Sequence, residues 1–380
     1  MVSLGSLVFA WSKRLNYSGR RYYFHNGKDP LKILFFGSDE FSIHSLRALN
    51  DIKSTGSGIL DSIQVVTRSP KWCGRGKSIL KETPIMHVTD TMGLQNALFC
   101  DNKQELISLR DSVDFNMIVA VSFGQLIPPE LLEKSSWSMN VHPSLLPKYK
   151  GSSPIQYSLL NRDEFTGVSI QTLHPTKFDH GSIICQTPPL NVAELLKKGT
   201  VSNFVEETPL KTAILMDQLG IAGGYLLKNI VLKGLYLQDP KTGYQPNPDI
   251  KPSYAPRIKS EQRKIHWEND DACTLTNKIG ILGPLYTFKE VKLKSKDLLK
   301  RIIFHEVKET LERPAQLIYP GDFYYDGSTK LLYVLCSGNT CISISKLQFE
   351  GFAVESAESF NSKLRKRCGR DLFEKTLFVN

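Results

Sequence analysis

VAVSFGQLIPPELLEKSSWSMNVHPSLLPKYKGSSPIQYSLLNRDEFTGVSIQTLHPTKFDHGS, running from Val119 to Ser182, decides the reading of this chain. Within it, Asn140, Val141 and His142 end a short apolar run. In a strand, residues two apart leave the same face, so the side chains of Asn140 and His142 project together. Asp179 follows in the loop sequence Phe-Asp-His-Gly. An amide donor, an imidazole and a carboxylate are the groups needed to hold a developing oxyanion and to move a proton. No Ser or Cys stands in an elbow motif, so attack by a substrate group is expected rather than attack by the enzyme. Taken singly, each residue has a plainer reading: the histidine as a hydrogen-bonded structural residue, the aspartate as a turn residue.

Upstream, LKILFFG (Leu31 to Gly37) is an apolar run ending in glycine. Phe41, Leu46 and Leu49 then recur at helical spacing behind Ser38 or Asp39 as a cap. This strand–turn–helix opening predicts a Rossmann-like, doubly wound α/β sheet. With Gly37 alone in place of G-x-G-x-x-G, a dinucleotide site is not expected. The second strand is predicted at Ile63 to Thr67. A basic stretch follows with Arg68, Lys71, Arg75, Lys77, Lys81 and Trp72, either a solvated loop or a reader of RNA. Helical spacing covers Gln95 to Leu109, a strand runs from Phe115 to Gly124, and a helix begins near Pro129. The next strand is Ser138 to His142. Ser152 or Ser153 can cap a helix that has Pro154 in its first turn, and Lys148 and Lys150 precede it. GVSIQTL (Gly167 to Leu173) alternates like a half-exposed strand. His180 reads as an exposed loop residue. Residues 205–233 have helical spacing.

Pro, Gly, Asn and Asp concentrate from Leu237 to Ser253, a linker composition. Beyond it, one helix and five short strand-like runs predict a small β-barrel, OB-like in type. Four segments are therefore expected: 1–28, 29–236, 237–262 and 263–380. The charge divides along them. Residues 1–28 carry five basic and no acidic side chains; residues 29–250 carry a net −1 and residues 251–380 a net +6. An acid-free, Ser- and Arg-bearing start is the composition of a mitochondrial transit peptide. The basic C-terminal part, with Lys292, Lys294, Lys296, Lys300 and Arg301 in one group and Lys363 to Arg370 in another, favours contact with phosphates. The seven cysteines have no metal-ligand spacing, so no metal is expected and the thiols suit a reducing compartment. No stretch approaches the length needed to span a bilayer. A monomer without membrane attachment is expected.

The run NVHPSLLPKYKGSSPIQYSLL, with TGVSIQ and FDHGSI after it, resembles the folate-dependent formyltransferases. The resemblance extends over nearly the whole chain after the first thirty residues. It implies transfer of a formyl group from 10-formyltetrahydrofolate to the α-amino group of methionyl-initiator tRNA, in the mitochondrial matrix. It implies catalytic roles for Asn140, His142 and Asp179, and folate binding by Ser144, Leu145, Leu146, Pro147 and Gly124. The GRGK element (Gly74, Arg75, Gly76, Lys77) corresponds to a loop that reaches the tRNA acceptor end, with Arg75 and Lys77 as its contacts. The chain departs from the family pattern at Ser122-Phe123, where Ala-Tyr is usual, and at His180 and Ser182 beside Asp179. Two other functions stay open on the residues alone: formylation of a small amine, which would need neither the basic loop nor the basic barrel, and RNA binding without catalysis.

Overall fold

The computed structural model describes residues 29–74, 76–200, 208–239, 243–293 and 296–380. The transit-peptide segment, Arg75, Lys294 and the first residues of the 205–233 helix lie outside the described residues.

The N-terminal part is built on β1 (Leu31–Gly37), α1 (Glu40–Ser54), β2 (Leu60–Thr67), a hairpin of β3 (Lys71–Cys73) and β4 (Ile79–Lys81), β5 (Leu98–Phe99), α2 (Lys103–Ser112), β6 (Met117–Val121), α3 (Pro129–Lys134) and β7 (Trp137–His142). It continues with α4 (Pro154–Leu160), β8 (Phe165–Thr166), β9 (Ser169–Gln171), β10 (Ile183–Gln186), β11 (Leu190–Asn191), α5 (Val192–Lys197) and α6 (Leu210–Lys233). Seven strands form one sheet in the order β10-β9-β7-β6-β1-β2-β5. Strands β7 to β5 are parallel, and β9 and β10 are added antiparallel at one edge. β8 and β11 form a separate two-residue ribbon.

Strands β1 and β6 are buried almost throughout, as continuous apolar runs between two helical layers should be. One layer is α1 with α6, contributing Phe41, Leu46, Leu49, Leu215, Leu219 and Leu227. The other is α2 with α3, contributing Leu106, Leu109 and Leu131. Helices α1 and α6 approach closely because Gly224 faces the backbone of His44; a Cβ there would lie 2.6 Å from the His44 carbonyl oxygen. The chain leaves β1 toward β2 and β5, then returns to lay β6 on the other side of β1. That reversal opens a crevice beyond the C-terminal ends of β1, β6 and β7.

Local boundaries differ from the expected ones for identifiable reasons. Helix α2 starts at Lys103 rather than Gln95, because Leu98 and Phe99 pair with β2 and Asn102 caps the helix through the Glu105 N–H at 3.0 Å. β2 begins three residues early. The Gly167–Leu173 run narrows to Ser169–Gln171, and all three residues are buried, since β9 lies between β7 and β10 with its polar side under loops. His180 is half-buried between the rings of His174 and Tyr254.

The C-terminal part contains α7 (Ala272–Leu282), β12 (Leu285–Leu293), β13 (Lys296–Thr310), β14 (Phe323–Asp326), β15 (Leu331–Leu335), β16 (Cys341–Phe349), β17 (Val354–Ser356) and α8 (Ala357–Cys368). The antiparallel order is β12-β13-β16-β15-β14, with β17 on β16. The chain terminus closes the barrel: Val379 bridges Phe288 of β12 and Leu377 bridges Asp322 at the head of β14. Trp267, Phe304, Phe323 and Phe378 stack inside, with the Trp267 Nε1–H donating to Thr287 Oγ1 at 2.9 Å. The expected basic groups are partly committed within the fold. Lys300 pairs with Glu350 at 2.9 Å, and Arg367 is buried against Glu355 and lies 4.1 Å from the Phe352 ring. Lys292, Arg365 and Lys366 remain exposed.

Candidate active site

The crevice encloses about 700 Å³, within the range of small-molecule sites. Asn140, His142 and Asp179 all stand in its wall, so the three sequence-predicted groups are brought together. β7 delivers the first two on one face, as the period of two requires. Across the sheet, Asn140 pairs with Gln171 of β9, a residue the sequence reading did not single out. Its signal was a glutamine two residues after Ser169, on the polar side of an alternating run.

Asp179 is the hub. Its Oδ1 accepts from Asn140 Nδ2 at 3.3 Å and from Gln171 Nε2 at 3.1 Å, and lies 3.3 Å from His142 Nδ1. Its Oδ2 accepts the Gly151 N–H at 2.8 Å. On its other side, His142 Nε2 is 2.9 Å from the Tyr149 carbonyl oxygen. That carbonyl can only accept, so Nε2 is the donor in this contact. The side chains of His142 and Asp179 are nearly out of solvent, at 6% and 8% exposure, which strengthens charge interactions between them. Asp179 has φ +54°, a left-handed backbone that Asp tolerates better than most residues. The adjoining Gly181 has no room for a side chain: a Cβ would sit 1.7 Å from the Thr172 carbonyl oxygen.

Gly124 lines the crevice in a left-handed turn (φ +78°) next to Ser122 (φ +52°). Ser144, Leu145, Leu146 and Pro147 do not form its wall. This run folds behind Pro143: Ser144 Oγ donates to the Lys148 carbonyl at 2.6 Å, and Ser169 Oγ takes up the Leu146 N–H at 2.9 Å. Gln186 Nε2 closes the same network on the Leu146 carbonyl at 2.8 Å. β9 and β10 thus turn their polar groups onto this run. Of the two lysines that precede α4, Lys148 pairs with Asp163 at 2.9 Å and Lys150 lines the crevice. Lys77 stands exposed at the tip of the β3–β4 hairpin, which also shows Trp72 to solvent at 60%. Among the described residues no group of three or more His, Cys, Asp or Glu is placed to hold a metal ion.

Asp39, read from the sequence only as a helix cap, caps α1 through the Ser42 N–H at 3.1 Å and also lines the crevice. Burial pushes its carboxyl up to about 7, against the opposing hydrogen bonds of Ser42 and Ser122. An acid whose pKa is higher folded than unfolded binds protons on folding. Its favourable contribution is complete below pH ~4 and is lost as pH rises through about 7. Asp39→Asn retains the cap and removes the charge. It should raise the thermal unfolding midpoint at pH 8 and leave it unchanged at pH 4, the gain being of order 1–2 kcal/mol for a group still partly open to the crevice. Equal midpoint shifts at both pH values would rule this out.

Residues 31–212 match the family profile described as formyl transferase, and residues 257–365 the profile described as formyl transferase, C-terminal domain. The chain belongs to the formyl transferase family. Its similarity to the mitochondrial methionyl-tRNA formyltransferase of Saccharomyces cerevisiae is 48% identity, covering 94% of this chain and 96% of that protein. The methionyl-tRNA formyltransferase of Thermodesulfovibrio yellowstonii is 30% identical, covering 90% and 98%. Among solved structures, HypX from Aquifex aeolicus in complex with tetrahydrofolic acid superposes with a TM-score of 0.48 at 12% identity, over 88% of this chain and 48% of that one. In this formyl transferase chain, then, Asn140, His142 and Asp179 fall in the first family segment and most of the barrel in the second. Among the described residues no helix is long and apolar enough to cross a membrane.

Proposed function

We propose that this chain transfers a formyl group from 10-formyltetrahydrofolate to the α-amino group of methionyl-initiator tRNA, as a monomer in the mitochondrial matrix. The observation that carries the reading is the convergence of Asn140, Gln171 and His142 on one oxygen of Asp179 at the wall of the crevice. The near-full-length similarity to methionyl-tRNA formyltransferases supports the choice of acceptor.

Bound folate would supply the activated formyl group. The residues present fit it: the crevice has the needed volume, Gly124 and Phe178 border it, and Asn140 offers a second N–H beyond the one held by Asp179. Asn140 would donate its second N–H toward the formyl oxygen as negative charge grows there, and His142 would join it on exchanging one of its two present partners, the Tyr149 carbonyl or Asp179, for that oxygen. Asp179 holds His142, balances its charge and takes part in moving a proton from the amine to N10 of the folate. Gln171 Oε1, a buried acceptor with no partner among the described residues, is available to an N–H of the incoming amine. An α-amino group with a pKa near ~7.7 needs only modest activation at matrix pH. Ser144 to Pro147 would contribute to folate binding, as the family resemblance implies, and they fix the loop that follows His142. The hairpin with Arg75 and Lys77, and the exposed lysines and arginines of the barrel, would bind tRNA phosphates. The division at 29–236, 237–262 and 263–380 then places the chemistry in the first segment and RNA binding in that segment's hairpin and in the barrel, with 1–28 as the import segment.

The test is transfer from 10-formyltetrahydrofolate to methionyl-tRNA with glycinamide ribonucleotide as a competing acceptor. Formylated methionyl-tRNA is expected. Transfer to the small amine alone would discard the roles given to hairpin and barrel, and transfer to neither would discard the enzyme.

A further inference from the structure

The segment expected to be a plain linker is hydrogen-bonded into the active site. Lys150 bridges Tyr254 in parallel. The Lys150 N–H donates to the Ser253 carbonyl at 2.9 Å, and the Ala255 N–H to the Lys150 carbonyl at 2.7 Å. The Ser253 N–H donates to the Pro147 carbonyl at 3.2 Å and the Ser153 N–H to the Ala255 carbonyl at 3.0 Å. Ser253 Oγ accepts the N–H of Tyr149, itself buried, at 3.0 Å.

The other sides of these same peptide units hold the catalytic pair. The Tyr149 carbonyl receives His142 Nε2, and the Gly151 N–H reaches Asp179 Oδ2. The loop between is conformationally demanding, with Tyr149 at φ +61° and Gly151 at φ +118°. A Cβ on Gly151 would lie 2.8 Å from the Ala255 carbonyl oxygen, so the linker packs directly on the loop. Such conformations persist only when the surroundings over-determine them. Local sequence does not supply that constraint; the paired segment does.

We propose that Ser253, Tyr254 and Ala255 form a strap that sets the loop presenting Tyr149 O to His142 and Gly151 N–H to Asp179, with Ser253 as a positioning residue. The inference rests on the formyl-transfer reading, since it assumes that His142 and Asp179 do the chemistry. It has a consequence for the two-domain architecture. From the strap the chain passes to Gln262, whose Nε2 lies 3.4 Å from the Tyr157 hydroxyl, and then enters the barrel, where Lys264 bridges Tyr286. The strap therefore lies in the chain between the catalytic crevice and the barrel.

The experiment uses the full chain and methionyl-tRNA, comparing Ser253→Ala, Ser253→Thr and Asp179→Asn. Removing the Oγ acceptor leaves the buried Tyr149 N–H unpaired, and Ser253→Ala should lower kcat about tenfold while KM for the tRNA stays put. Ser253→Thr, which keeps the oxygen, should restore kcat. The pH profile of kcat should shift in Ser253→Ala, because the partners of His142 and Asp179 have moved. If Ser253→Ala does not fold, Ser253→Cys offers the same volume with a weaker acceptor and the same expectation. Wild-type kcat in Ser253→Ala, or a higher KM alone, overturns the strap. Unchanged activity in Asp179→Asn overturns the underlying reading instead.

Discussion

Asn140→Ala lowers the turnover of formyl transfer by roughly 10²–10³-fold, the usual loss when one preorganised donor to a developing oxyanion is removed. The structure explains why this loss should fall on kcat. Asn140 is held at its amide by Asp179 Oδ1, so its orientation is set before any substrate arrives. Its removal leaves that oxygen with Gln171 and His142, and the hub keeps its place. The KM for methionyl-tRNA should therefore hold within a factor of two or so, because the RNA-binding groups are elsewhere. Initial rates at saturating folate, with tRNA varied, separate the two parameters. A turnover within threefold of the parent chain would remove Asn140 from the chemistry.

A larger loss, about 10³–10⁴-fold in turnover, is expected for Asp179→Asn. The amide is nearly the same size, and asparagine accepts the left-handed backbone that this position has, so the fold is preserved. What is lost is the charge. The Gly151 N–H and His142 Nδ1 both face carboxylate oxygens, and one of them would instead meet an NH₂ group. His142 then has no anionic partner. Single-turnover rates report the defect, and thermal unfolding checks that it is chemical. Asp179→Ala should show the same rate loss together with a lower unfolding midpoint, worth about 1 kcal/mol, from the left-handed φ. An Asp179→Asn enzyme with ordinary single-turnover rates would end the proposed proton route.

The alternation of apolar runs with helical spacing was enough to predict the α/β sheet, because burial on two faces leaves a local record in β1 and β6. The pairing of Asn140 with His142 was equally legible, since a period of two within one strand needs no knowledge of the rest of the molecule. Membership of Asp179 in the site came from its family context, not from any local pattern. Where local signals competed, the structure decided: Asn102 capping and the pairing of Leu98 with Val66 moved the start of α2 past Gln95. Ser144 to Pro147 show a further limit. Their residue types suit a pocket, but which side of a loop faces the crevice depends on Ser169 and Gln186, two strands away.

The sequence by itself determined the element types, the chemical identity of the groups proposed for catalysis, the uneven charge and the barrel's strands. Only the tertiary structure decided that Gln171 shares the hub, that Asp39 sits in the crevice wall with a raised pKa, that the terminus closes the barrel and that the linker straps the catalytic loop. The division has one physical cause. Periodicity records burial within a few residues of chain, whereas a hydrogen bond such as Tyr149 N–H to Ser253 Oγ joins segments whose approach is set by the packing of the whole molecule.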